Sequence, residues 1–213
     1  MRERENMAAK KTNNKKKKNR EDKRDTKRRD ASREKRPSPV AIMRKKRREL
    51  MRISNVFSDH VSEFGMSNAL LDAFARQLCP NYYRGVVSAW RLRECNFRKP
   101  FTIICNIGLH FVTIHAGTGL TLYMDSYGKQ CKLPSMLKFL TRMGKPVCFN
   151  ERRIQLATSQ YCGLYALLFA AYTDLKDAGA LPFRLAFSNR ACLKNDKLCK
   201  MYLHKLLNYL TKK

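Results

Sequence analysis

The sequence predicts an α+β domain behind a basic arm. Three observations carry this expectation: charge is crowded into the first quarter of the chain, three short strand-like runs follow one another through glycine turns, and helical apolar patterns flank those runs without strict alternation.

Residues 1–52 hold 23 Lys and Arg against 8 Asp and Glu, a net +15 out of +28 for all 213 residues. The remaining 161 residues carry +13 and almost all the aromatic and aliphatic side chains. The arm is therefore expected to be disordered and 53–213 to form one compact domain. The runs KKTNNKKKK, KRDTKRR and RKKRR interrupt one another with acids and with Pro37-Ser38-Pro39. Such runs neutralise phosphates and release counterions, so they point to salt-sensitive, sequence-independent contact with DNA, and they read as nuclear import signals. A solvated, self-repelling tail is the plain alternative.

Order is expected from about Ile53. SNALLDAFARQL places Ala69, Leu70, Ala73, Phe74 and Leu78 at helical spacing behind a Ser67 or Asn68 cap and breaks before Pro80. PFTIICN (100–106), LHFVTIHA (109–116) and LTLYMDS (120–126) alternate and are joined by Ile-Gly and Gly-Thr-Gly turns, which predicts antiparallel hairpins. An amphipathic helix over Pro134 to Met143 follows, then a strand PVCFN (146–150), a further strand-like run Arg153 to Leu156, and a helix starting at Cys162. A last helix runs from about Asp196 to Leu210, with Leu198, Met201, Tyr202, Leu206 and Leu210 on one face.

No apolar run near Met1 has the length of a secretory signal, which favours an intracellular chain, and the longest run, Leu164 to Tyr172, is half of what spans a bilayer. The eight cysteines are scattered singly without the C-x-x-C spacing of a zinc site, so no metal is expected.

The candidate chemistry begins at Cys162, where a polar run becomes a continuous apolar helix pattern. A helix N-terminus gathers unpaired N–H groups and partial positive charge, which favour a thiolate over a thiol. His110 near the start of one strand and Asp125 at the end of the next are predicted to lie close across their hairpin, where a carboxylate would hold the imidazole in one tautomer and strengthen it as a base. Gln155, seven residues before Cys162, supplies an amide that could reach an oxyanion. Each residue alone has a duller reading: a structural strand histidine, a turn aspartate, a packed cysteine. Their order along the chain is what raises the expectation of chemistry.

The pattern LHFVTI, LYMDSYG and Q-x-x-x-S-x-x-C-G-L-Y resembles the adenovirus-type cysteine proteases, including those of large DNA viruses and virus-like transposons, within the wider group of ubiquitin-like-protein proteases. The segments YYRGVVSAWRL and TIICNIG are similar to those that precede the family's histidine. The sequence departs from the family pattern at Phe111, where Trp commonly follows the histidine, and in a shorter Asn106 to His110 connection.

The resemblance implies a papain-like, adenain-like fold, with a central helix carrying Cys162 at its N-terminus against a mainly antiparallel sheet. It implies His110, Asp125 and Cys162 as catalytic residues and Gln155 as an oxyanion donor. It further implies a maturation endopeptidase acting on virion structural and core precursors in the host nucleus and the virion. DNA and a short activating viral peptide would be its partners, with Cys148 a candidate for the peptide's disulfide, and no metal or small-molecule cofactor is needed. An isopeptidase acting on ubiquitin-like modifiers would use the same four residues. A non-catalytic, basic nucleic-acid-binding virion protein would use none.

Overall fold

The computed structural model describes residues 65–177 and 185–212, together with Ser38, Ala41, Ile42, Arg44, Lys45 and Arg48. The chain divides into two compact units, Met1–Lys45 and Lys46–Lys213. In the first, Ala41, Ile42, Arg44 and Lys45 are helical and exposed. The Ser38 hydroxyl accepts from the Ala41 N–H at 3.2 Å, the contact of a helix N-cap. Most of the arm, and its expected boundary at residues 52 and 53, lie outside the described residues.

The second unit is α+β. It runs α1 (Asn68–Leu78), β1 (Tyr83–Ser88), a 3-10 helix (Ala89–Glu94), β2 (Phe101–Asn106), β3 (Phe111–Ala116), β4 (Thr121–Met124), α2 (Pro134–Arg142), β5 (Val147–Phe149), α3 (Cys162–Asp177) and α4 (Cys192–Lys212). Ser67 caps α1 by accepting from the Leu70 N–H, and Pro134 opens α2. The buried stripe of α1 is Leu71, Phe74, Ala75 and Leu78, so Ala69 and Ala73 face solvent instead of the core. On α4 the stripe is likewise turned by one residue, to Cys199, Tyr202, Leu203, Leu206 and Leu207, leaving Met201 exposed. Two apolar residues in succession leave a helix face ambiguous in the sequence, and packing chooses.

The five strands form one sheet in the order β1-β2-β3-β4-β5. The β2-β3 and β3-β4 pairs are antiparallel hairpins, as expected. The sheet is nevertheless mixed, because β1 pairs with β2 and β4 with β5 in parallel. A parallel neighbour needs a crossover, and the 3-10 helix and α2 supply the two crossovers. The run Arg153 to Leu156 makes no strand.

β2 and β3 are buried on both faces. Ile103, Cys105, Val112, Ile114 and Tyr123 pack with Leu92 and with Met136, Phe139 and Leu140 of α2. On the other face Ile104 and Phe111 join the cluster formed by α1, α3 and α4. Residues Leu164 to Ala171 of α3 are all buried, which is why that helix reads as apolar on every side. Thr113 fixes the helix to the sheet by donating to the Ala166 carbonyl at 2.7 Å. Asp174, at the far end of α3, accepts from the backbone N–H groups of Asn81 and Tyr82 at 3.0 and 2.6 Å. These anchors set where α3 begins, and therefore where Cys162 stands. Among the described residues no helix is long and apolar enough to cross a membrane.

Candidate active site

His110 closes the β2-β3 turn: the Ile107 N–H donates to its carbonyl at 2.9 Å, and Gly108 takes a φ of 107° that favours glycine there. It stands immediately before β3 rather than within it, so its side chain is released from the strand's alternation. Asp125 follows β4 directly. The His110 Nε2 and Asp125 Oδ1 atoms lie 2.7 Å apart, and the Tyr127 N–H donates to the same oxygen at 2.7 Å. Asp125 is only 2% exposed, so its negative charge is shielded from water and committed to the imidazole and the turn.

Cys162 is the first residue of α3. Burial pushes its thiol up, yet the neighbouring His110 imidazole with its charge and the backbone N–H groups of Phe111 and Gly163 together hold it below the ordinary cysteine value. Burial pulls the imidazole down, and the Asp125 hydrogen bond and the Cys162 thiolate outweigh it, raising His110 to about 9. The two displacements agree in sense: both favour a thiolate–imidazolium pair. The Nδ1 atom of His110 is buried and has no hydrogen-bond partner among the described residues.

Gln155 is fully buried and closely partnered. Its carbonyl accepts from Ser126 Oγ at 2.5 Å, and its Nε2 donates to the Ser159 carbonyl at 2.7 Å and, more weakly, toward Tyr127 Oη at 3.4 Å. One amide hydrogen thus shapes the turn that leads to Cys162, and only the second, loosely held, is free to turn toward an oxyanion. Cys148 sits exposed on the edge strand β5, without a disulfide among the described residues.

Three further residues belong to the site and had no assigned role in the sequence reading. Asn150 accepts from the Asp125 N–H at 2.6 Å and donates back to the Asp125 carbonyl. The Ser126 carbonyl accepts from both the Ile154 and Gln155 N–H groups, at 2.9 and 3.1 Å. Tyr127 stacks on His110 with ring centroids 4.7 Å apart and planes 28° from parallel. The run Asp-Ser-Tyr-Gly announces a turn, and its polar members gain meaning only through the loop they meet. Gly128 makes that meeting close: with φ 65°, a Cβ there would fall 2.4 Å from the Arg152 carbonyl carbon.

Two clefts meet at the pair. One, of about 830 Å³, has His110, Asp125 and Tyr127 on its wall. The other, of about 550 Å³, contains Cys162, Phe111 and Tyr127, with Met66 from the segment before α1 and the fully exposed Leu109. A chain lying across both would cross the thiol with its carbonyl and the imidazole with its amide nitrogen.

No protein-family model and no curated protein matches the chain. Among solved structures it is similar to the central domain of an uncharacterised protein from Legionella pneumophila, at 13% identity and a TM-score of 0.40, covering 70% of this chain and 99% of that one.

Proposed function

We propose that residues 53–213 are a cysteine endopeptidase of the adenovirus-protease type, with a papain-like arrangement of the central helix against the sheet. The observation that carries the proposal is the mutual perturbation of Cys162 and His110, with Asp125 bonded to the imidazole's far nitrogen at 2.7 Å. The Cys162 thiolate attacks a peptide carbonyl, and the oxyanion is received by backbone N–H at the start of α3 and by the second amide hydrogen of Gln155. His110, kept in place by Asp125 and by the face of Tyr127, protonates the leaving amine through the proton it took from the thiol. Water then releases the acyl group with His110 as base.

The substrates proposed are virion structural and core precursors cut after small residues, in a host nucleus and in the virion, with DNA held by the arm and an activating peptide as a further partner. The basic arm supports the DNA role through non-specific phosphate contacts. Exposed Cys148 leaves a disulfide to such a peptide sterically open. No metal or small-molecule cofactor enters the mechanism.

The test is cleavage of a Gly-containing peptide or precursor, with and without DNA. Cys162→Ala should abolish cleavage and keep the thermal transition. If the wild-type chain shows no thiol-sensitive cleavage, a nucleic-acid-binding virion protein replaces the enzyme. Release of a ubiquitin-like modifier without action on precursors assigns it to the isopeptidases. Removing residues 1–48 should sharply weaken salt-sensitive DNA binding, and unchanged binding would remove the arm's role.

A further inference from the structure

The 830 Å³ cleft is built unevenly. Its floor is apolar, with Ile107, Tyr123, Cys131 and Leu133, and its rim carries two exposed lysines, Lys129 and Lys132. Neither lysine makes an ion pair with any described residue. Among the described residues that line the cleft the one carboxylate, Asp125, is buried and already engaged by His110 and the Tyr127 N–H. Among the described residues nothing compensates this positive rim.

Which part of a substrate this cleft receives follows from the chemistry. Cys162 lines the other cleft and His110 lines this one. The thiolate keeps the acyl half and the imidazolium protonates the departing nitrogen, so the leaving half of the chain extends over the imidazole into the lysine-rimmed cleft. Lys129 Nζ lies 5.9 Å from the Tyr127 ring centroid, and that ring lies 4.7 Å from the His110 ring. Together the two steps bound the distance from imidazole to ammonium, a span that an extended chain covers in about three residues at roughly 3.3 Å each.

We propose that this cleft is a specificity subsite for an acidic residue at the second or third position after the scissile bond, with an apolar neighbour on its floor. The inference rests on the endopeptidase reading and adds the class of leaving segment to it. Lys129 and Lys132 attract the carboxylate and repel a basic segment. Tyr127, with the Lys129 ammonium 5.9 Å and the His110 ring 4.7 Å from its centroid, links recognition to the base through one aromatic ring.

The experiment uses the full chain and three peptides with an identical Gly-containing acyl side, carrying Asp, Ala or Lys at both the second and third positions after the cut. The expected order of kcat/KM is Asp, then Ala, then Lys, with about tenfold between the extremes at low salt and a smaller ratio as ionic strength rises, since exposed charges are screened. The double variant Lys129→Glu, Lys132→Glu should invert the order. Equal rates on the three peptides, an order that survives the double substitution, or a ratio indifferent to salt would each overturn the subsite while leaving the protease intact. Failure of all three peptides, together with no labelling of Cys162 by a peptide acyl electrophile, would remove the endopeptidase and the subsite with it.

Discussion

The His110 Nε2 and Asp125 Oδ1 atoms lie 2.7 Å apart although fifteen residues separate them, because the β3-β4 hairpin returns the chain alongside its own beginning. This short contact, made beside a thiol, determines how the site should respond to pH.

Cys162 is held below its ordinary value and His110 is raised to about 9. The reactive pair is therefore populated from the lowered thiol pKa up to about pH 9. Site-resolved alkylation by iodoacetamide should stay nearly flat from pH 8 downward until the lowered thiol pKa is reached, whereas an ordinary thiol loses about tenfold per pH unit there. Proteolysis should fall as pH rises through 9, where His110 loses its proton. For stability, the raised histidine contributes fully below its unfolded value of about 6.5 and loses that contribution as pH rises through about 9.

Asp125→Asn keeps the shape of the side chain and removes its charge. The imidazole should lose on the order of one pKa unit or more. The alkaline limb of the activity profile should move toward neutrality, and the alkylation plateau of Cys162 should shorten. A profile identical to wild type would show that the carboxylate's charge does not act on the pair.

Gln155→Leu fills the same space but leaves Ser126 Oγ and the Ser159 carbonyl without partners. Unsatisfied buried groups cost about 1 to 3 kcal/mol each. Thermal or denaturant unfolding should register that loss, and turnover should fall on every substrate. Gln155→Glu separates the roles: it can still accept from Ser126, but a carboxylate would repel the oxyanion and the Ser159 carbonyl.

Gly128→Ala should be among the most damaging small substitutions in the domain. The added carbon meets the Arg152 backbone at 2.4 Å, in a left-handed conformation that already disfavours a side chain. A loss exceeding about 2 kcal/mol is expected, with activity falling further than folding alone explains, because the acid-bearing turn is displaced from its loop. Urea unfolding and residual kcat, measured together, check both parts.

Much of this arrangement is legible in the sequence itself. Ser67 and Pro134 mark helix starts by local chemistry, and the proximity of His110 and Asp125 follows from a hairpin of known periodicity. The strand Tyr83–Ser88 escaped because Gly85 interrupts its pattern, at φ 138°, and because its partner β2 lies beyond an intervening helical turn. Parallel pairing of β4 with β5 was equally hidden, since nothing local records which distant edge a strand will join. The state of Gln155 was out of reach for a different reason. Spacing can place an amide near a thiol, but it cannot tell how many of that amide's hydrogens Ser159 and Tyr127 have already claimed.

Ser126 receives two N–H groups of the loop before Cys162 on its carbonyl and gives its hydroxyl to Gln155. The turn that bears the acid and the loop that bears the amide are therefore tied through one residue, and a substitution that tilts the first is expected to tilt the second. Double-mutant cycles between Asp125 and Gln155 should be strongly non-additive, although the two side chains share no bond of their own. Ser126 is thus a shared hinge pin for two functional side chains: a change that shifts it reaches the acid and the amide at once.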